Sequence, residues 1–380
     1  MPGRIVLYGA TGYVGGLTAR EMLAVGARPV LAGRDPGRLN ALAARLSQAG
    51  DGAELETAVA DAEPGQLRDL IRPGDVVVST AGPFVKIGRP VVAAAVDAGA
   101  VYLDSSGEPP FIRQVFEEFG PRAEQTGAAL LTAFGYDYVP GNLAGALALE
   151  AAGSAAARVR VGYFARGNIR GGTSAGTQAS AADMLLEPGY AFRGGGVVTE
   201  RTAAHVVSFE VDGDRKEAFS IGSSEHFALP RLRAATGRAA ASAPLSEVGV
   251  YLGWFGRATR LVHYGSALAS SLDRVPGVRR ALHAQARRIQ HSRSQPRAGV
   301  SIRTDVVALV DDLDGRPLAQ VHLTGGDPYS FTAPLLAWAA MRAAVHGVRP
   351  AGALGPVEAF GLGAVESACA AAGFYQARPK

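Results

Sequence analysis

The chain has 380 residues, room for two or three domains of ordinary size, and 48% of them are hydrophobic against 19% charged, which excludes a disordered polymer. A net charge of +4 is too mild to call for nucleic acid, and Cys369, the one cysteine, excludes an internal disulfide or a multi-cysteine zinc site. No uncharged stretch reaches the roughly 18 residues of a spanning helix, and no secretory leader is evident, so a cytoplasmic protein without a transmembrane segment is expected.

Arg4–Tyr8 is aliphatic and reads as a strand. It runs into Gly9-Ala10-Thr11-Gly12-Tyr13-Val14-Gly15 and then a helical stretch through Leu23. Strand, glycine-rich turn and helix form the context of a dinucleotide fingerprint. Gly9 permits the tight turn, Gly12 a close approach to pyrophosphate, and Gly15 close packing of helix on strand. The helix start offers free N–H groups and partial positive charge to the phosphates, with Thr11 and Tyr13 beside them.

A second strand, Pro29–Ala32, ends in Gly33-Arg34-Asp35-Pro36. Asp35-Pro36 reads as the cap and first residue of a helix over 37–49. Arg34 then stands where a 2′-phosphate needs a planar cation, so NADP(H) is expected over NAD(H). The alternation continues with strands at Leu55–Ala60, Asp75–Thr80, Val101–Leu103 and Ala129–Ala133, and helices at Arg89–Ala98 and Phe111–Thr126. Asp61 closes the third strand near the expected adenine position. Six strands separated by helices predict a Rossmann doubly wound parallel sheet, whose ligands bind outside the strand carboxyl ends. Ala81-Gly82-Pro83-Phe84, Asp104-Ser105-Ser106-Gly107-Glu108 and the turn from Phe134 to Asn142 should therefore face the nicotinamide.

Gly9–Gly15, Ala32-Gly33-Arg34, Ala81–Phe84, Tyr102–Glu108 and Gly135-Tyr136-Asp137-Tyr138-Val139-Pro140 occur in an order and spacing that resembles the saccharopine dehydrogenase-like oxidoreductases, most of all their trans-acting enoyl reductase branch. The family's last motif reads G-F-D-S-x-P-S-D. Here Tyr136, Tyr138, Gly141 and Asn142 depart from it, and the final acid is lost. The resemblance implies a nicotinamide-dependent reductase with an inserted second α/β domain.

Beyond residue 145, Arg158–Phe164, Val206–Val211, Val300–Val310 and Leu318–Thr324 read as strands, the last two joined through a hairpin at Asp314-Gly315. Ala179–Leu186, Thr332–Val345 and Pro356–Gly373 read as helices. A second α+β domain with a mostly antiparallel sheet is expected over 146–349, with 350–380 returning to the nucleotide domain. Seven arginines lie between Arg274 and Arg297, without the aromatic residues that stack bases, so an exposed helix or a lid is favoured over a nucleic-acid arm.

Hydride chemistry belongs to the cofactor, and the protein supplies position and a proton. No tyrosine lies four residues before Lys86, Lys216 or Lys380, which excludes a Tyr-x-x-x-Lys pair. Strand-end donors are Tyr136, favoured for its phenol, then Asp137, Tyr138, Glu108 and Asp104. Tyr136 also reads as a wall aromatic, Asp137 as a turn-stabilising group and Glu108 as a helix cap. Gly172-Thr173-Ser174-Ala175-Gly176 matches a nucleophile elbow in letters, but polar residues precede it, so Thr173 and Ser174 read as lining for a substrate cleft alongside Phe84, Glu108 and Tyr138. The histidines lack metal-ligand spacing, and no metal is expected. The substrate expected is an activated C=C in a small or carrier-bound acyl chain. An imine substrate, with Arg166, Arg170 and Arg193 for carboxylates, and a non-catalytic NADP-binding sensor both stay open. Nothing sets the oligomeric state, and a homodimer is among those open to it.

Overall fold

The computed structural model describes residues 3–49, 52, 54–167, 187–235, 244–272 and 302–377. In chain order the strands are β1 Ile5–Tyr8, β2 Val30–Gly33, β3 Thr57–Val59, β4 Val76–Ser79, β5 Val101–Asp104, β6 Ala129–Leu131, β7 Arg158–Gly167, β8 Pro188–Arg193, β9 Gly196–Arg201, β10 Val206–Val211, β11 Asp214–Ser220, β12 Glu247–Leu252, β13 Ile302–Asp311, β14 Pro317–Gly325, β15 Gly352–Ala353 and β16 Phe374–Gln376. They build two sheets in two compact units.

The first unit takes in residues 1–107, 111–139 and 328–372. Among the described residues its sheet has seven parallel strands in the order β15-β6-β5-β4-β1-β2-β3. The order reverses between β1 and β4, which opens a crevice at their carboxyl ends. The strands are continuous apolar runs because helices cover both faces: Val6, Leu7, Val77, Val78 and Leu103 are fully buried. Helix Pro328–His346, with alanines and leucines at most buried positions, packs on helix Tyr13–Ala24 and on β4. It lies within the 146–349 span expected for the second domain but belongs to the first unit, as an apolar cylinder needs a sheet face to cover.

Several boundaries move for local reasons. The helix expected from Arg89 begins at Phe84, with Pro90 inside it. The helix after Pro109 carries a wider π-helical turn at Val115–Phe119 before it resumes to Thr126. The single helix expected over 356–373 is two, Pro356–Phe360 and Leu362–Ala371, because Gly361 adopts φ +83° between them. Helix Val139–Ala152 was missed: it is so uniformly apolar that it shows no periodicity.

The second unit takes in residues 108–110, 140–327 and 373–380. Its described sheet runs β10-β11-β12-β7-β13-β14-β16, with β8 and β9 as a side hairpin. It is mostly antiparallel, as expected, and β12–β7 is its parallel pair. The β13–β14 hairpin turns at Gly315, φ +82°, as its Asp-Gly signal predicts. Phe164, Phe209, Val211, Ala218, Tyr251 and Val307 form a core on this sheet. The end of the chain does not return wholly to the nucleotide unit: β15 joins the parallel sheet, but β16 pairs with β14. Helix Ala179–Leu186, the Gly172–Gly176 segment and the arginine-rich 274–297 stretch lie outside the described residues.

Candidate functional site

The crevice of the first unit begins at the turn after β1. Gly9 takes φ +82°, and its amide and that of Ala10 both donate to Ala32 O at the end of β2, at 2.9 and 3.2 Å. Gly12 donates to Gly9 O at 2.9 Å and is the N-cap of helix Tyr13–Ala24. A Cβ on Gly15 would overlap Gly9 O and lie 2.8 Å from Thr80 Oγ1, so helix and strand end touch through bare backbone. The helix start has no side-chain cap and no acid in its first turn. An uncapped helix N-terminus behind an exposed glycine is a cradle for a phosphate, and it fits a dinucleotide pyrophosphate. Tyr13, 37% exposed, meets Tyr329 edge-on at 5.2 Å, and Val14 is half-buried beside it.

At the end of β2, Gly33 is buried and Arg34 is exposed. Asp35 caps the next helix as expected: its Oδ1 accepts the Arg38 amide at 3.0 Å. That leaves Arg34 without competition from Asp35 for the nucleotide edge. Arg38, which the sequence reading passed over, donates from Nη2 to Thr11 O at 2.9 Å and ties the phosphate turn to this helix. Asp61 is exposed, and its amide is held by Gln66 Oε1 at 2.8 Å. Tyr8 was also passed over. Burial, helped by Asp61 and opposed by Arg34, pushes its phenol up to about 12, so it stays a neutral donor between two charges.

Across the crevice, half-buried Ala81 and exposed Gly82 and Pro83 follow β4, with Thr80 Oγ1 donating toward Tyr8 O and Gly9 O, each at 3.2 Å. Phe84 instead turns inward and packs on Phe111 at 5.6 Å, as part of the helix wall. At the end of β5, Asp104 is fully buried, and its Oδ1 accepts the amides of Ser106 at 2.8 Å and Ala133 at 2.9 Å. Burial pushes this carboxyl up to about 6 against the pull of those hydrogen bonds. Ser106 is buried and Gly107 half-buried.

The turn after β6 brings Asp137 against Gly107: a Cβ there would sit 2.8 Å from Asp137 Oδ2. Asp137 accepts no hydrogen bond among the described residues and keeps some exposure, and burial pushes its carboxyl up to about 6. It does not brace turn amides. Tyr136 and Tyr138 are buried, and the Tyr136 amide is held by Thr332 Oγ1 at 3.0 Å. Of the expected substrate residues, Glu108 is buried at the start of helix Pro109–Gln114, and Thr173 and Ser174 lie outside the described residues. Among the described residues no cluster of His, Cys, Asp or Glu has metal-binding geometry.

The second unit holds its own buried polar group. Tyr163 Oη accepts the Gly141 amide at 2.9 Å and donates to Glu225 Oε1 at 2.6 Å. Gly141 is small by necessity, since a Cβ would overlap both Tyr163 Oη and Glu225 Oε1. Asn142 Nδ2 donates to Ser224 Oγ at 3.0 Å. The departures from the family motif at 141 and 142 thus go with a cap supplied from β7 and from helix Glu225–Ala235. Arg166 is committed to Asp212 at 2.6 Å and Asp305 at 3.1 Å, and Arg193 to Glu247 at 2.5 Å and Glu200 at 3.5 Å.

Residues 5–131 match the family model of the saccharopine dehydrogenase NADP-binding domain. A Mycobacterium tuberculosis protein provisionally named a trans-acting enoyl reductase is 38% identical over 184 residues, 48% of this chain and 44% of the relative. The trans-acting enoyl reductase of Mycobacterium ulcerans is 39% identical over 142 residues, 37% of this chain and 34% of its own. The chain thus spans less than half the length of these relatives. Among solved structures, apo saccharopine dehydrogenase (L-Glu forming) from Saccharomyces cerevisiae aligns over 99% of both chains with a TM-score of 0.58 at 14% identity, a likeness of fold. The resemblance seen in the motifs is thus matched over residues 5–131, which are similar to the NADP-binding domain of saccharopine dehydrogenase.

Proposed function

We propose that the protein is an NADPH-dependent reductase that adds hydride and a proton across an activated C=C of an enoyl or polyketide-like acyl substrate. The observation that carries this reading is an acid at the carboxyl edge of the NADP-binding sheet: Asp137, unbonded among the described residues and pushed up to about 6, against the backbone of Gly107. NADPH, when bound, supplies the hydride. Gly9, Thr11, Gly12, Tyr13, Val14 and Gly15 hold its pyrophosphate, Arg34 its 2′-phosphate, and Asp61 borders the adenine. Ala81, Gly82, Pro83, Ser106 and Gly107 line the nicotinamide end.

Hydride at the β-carbon leaves negative charge on the α-carbon and carbonyl, and the reaction closes when a proton reaches the α-carbon. A carboxyl poised near 6 holds that proton at mildly acid pH and is a strong enough acid to give it up. The donor in this reading is Asp137, with Tyr136 and Tyr138 as the walls that keep water away. The names of the mycobacterial relatives favour a C=C substrate. The commitment of Arg166 and Arg193 to acid partners speaks against reserving them for the carboxylates of an amino-acid imine.

The test follows NADPH absorbance with a panel of enoyl thioesters, enones and cyclic imines. Oxidation with an enoyl thioester is the expected result. Oxidation by imines alone would move the protein to C=N reduction. Tight NADPH binding with no oxidation by any member would make it a cofactor-binding sensor.

A further inference from the structure

The carboxyl of Asp104 faces no solvent, yet it is the hinge of the strand-end geometry. Its Oδ1 accepts two amides from different loops, Ser106 after β5 and Ala133 after β6. Its own carbonyl accepts a third, from Phe134, at 2.6 Å. Ala133 sits at φ +58°, a left-handed conformation that L-residues other than glycine seldom adopt and that needs an outside partner to persist. From there Ala133 O accepts the Tyr138 amide at 2.8 Å and closes the turn that presents Asp137. On the other side, the Ser106 amide fixes the backbone just before Gly107, the residue against which Asp137 Oδ2 rests.

We infer that Asp104 is a positioning residue: its one carboxylate oxygen sets the separation of the Gly107 and Asp137 loops and so holds the Asp137 carboxyl where it acts. The inference rests on the proposed role of Asp137. A carboxyl suits the task because one of its oxygens can accept two hydrogen bonds. Ser79 on β4, Tyr102 on β5 and Thr132 after β6 share its face of the sheet and are buried with it, so no water competes for those amides. Nothing in the arrangement brings Asp104 to the surface, which separates its part from that of Asp137.

The experiment compares Asp104→Ala and Asp104→Asn in the full chain. It uses NADPH binding by fluorescence, kinetics with whichever acyl substrate the wild type reduces, and amide hydrogen exchange at Ala133, Phe134 and Tyr138. Asp104→Ala should lower kcat on the order of 100-fold with KM and NADPH affinity nearly unchanged, since a misplacement of about 1 Å suffices for that loss. Exchange at the three amides should speed up. Asp104→Asn keeps an oxygen acceptor and should recover most of the activity. Retained kcat in Asp104→Ala, or a loss in Asp104→Asn as deep as in Asp104→Ala, overturns the inference. If Asp104→Ala does not fold, Asp104→Ser replaces it, because its oxygen is too short to span both amides. If the wild type reduces nothing, the reading of function fails by itself. Exchange then decides the positioning claim, and unchanged exchange at Ala133 and Phe134 in the variant overturns it.

Discussion

The two ends of the nucleotide crevice are built by opposite means. At the phosphate end, bare backbone does the holding: Gly9, Gly12 and Gly15 let strand and helix approach until amides are the only groups left to present. At the strand ends of β5 and β6 two side-chain carboxyls stand instead, Asp104 bonded to two amides and Asp137 to none among the described residues, and burial pushes both well above the ordinary carboxylate range. The first end recognises a charge that is the same in every dinucleotide. The second, in the proposed function, holds a proton and keeps it in place. Backbone geometry suits the former because it is rigid and carries no titratable group, and a buried acid suits the latter because desolvation tunes it.

The sharpest way to break this comparison is at Gly15. Gly15→Val puts a branched side chain where even a Cβ meets Gly9 O and Thr80 Oγ1. Overpacking of a backbone contact costs about 1–3 kcal/mol or more, and the phosphate turn has nowhere to shift. Calorimetry should register no NADPH binding, and the melting temperature should drop. Normal affinity in this variant would mean that the nucleotide does not lie on this turn.

Next in size is Asp137→Asn. Loss of a general acid lowers rates by about 10²–10⁴-fold, and kcat should fall into that range with NADPH affinity intact. In the wild type, activity should decline as pH rises through about 6, because the proposed donor role needs the Asp137 carboxyl protonated and burial pushes it up to about 6. The variant should lack that limb. Tyr136→Phe is the contrast: as a wall it should leave kcat within about threefold, since only a hydroxyl is removed from an already buried ring. Equal losses in the two variants would return the donor role to Tyr136.

The difference between the two ends also explains what was legible in the sequence. The glycine turn, the Asp35 cap and the strand alternation are local, so spacing alone displays them. Arg38, three residues past Asp35, was missed because its contact with Thr11 O spans 27 positions. Asp104 appeared among several acids, but its hydrogen bond to Ala133 crosses 29 residues and no motif announces it. The second sheet was harder still. Its strands β9 and β11 are part-exposed and carry charged residues, and helix Glu225–Ala235 contains Pro230, so neither period stands out. The bond between Tyr163 and Glu225, 62 residues apart, depends on a register that only the folded sheet fixes.

Cofactor choice should respond more modestly. Arg34→Ala removes the exposed guanidinium at the end of β2 and leaves the Asp35 cap and the Arg38 tie in place. A charge-assisted contact to a phosphate contributes about 1.5–3 kcal/mol, so the preference for NADPH over NADH should fall by about 10- to 100-fold. Competition between the two nucleotides measures it. An unchanged ratio would place the 2′-phosphate elsewhere, with Arg38 the next residue to substitute.

The smallest effect tests whether buried acids act alike away from the crevice. Glu225 lies under Tyr163 in the second unit, where burial pushes its carboxyl up to about 7 against the pull of the Tyr163 hydrogen bond. A carboxyl with a raised folded-state pKa gives stability that is complete below its unfolded value of about 4.5 and lost as pH climbs through 7. The neighbouring His226, lowered to about 4 by burial, works the other way: its share is present above about 6.5 and lost as pH falls through 4. Asp104 and Asp137 lean the same way as Glu225 but finish near 6. Between pH 6 and 7, Glu225 is therefore the main group in this set still shedding stability. Glu225→Gln preserves an acceptor for Tyr163 and cannot ionise. Its melting temperature should change less than the wild type's between pH 6 and 8, by a few degrees, on the order of 1 kcal/mol. Parallel curves for the two proteins would mean that the pair titrates no differently folded than unfolded, and that buried acids in this fold are tuned only beside the nucleotide.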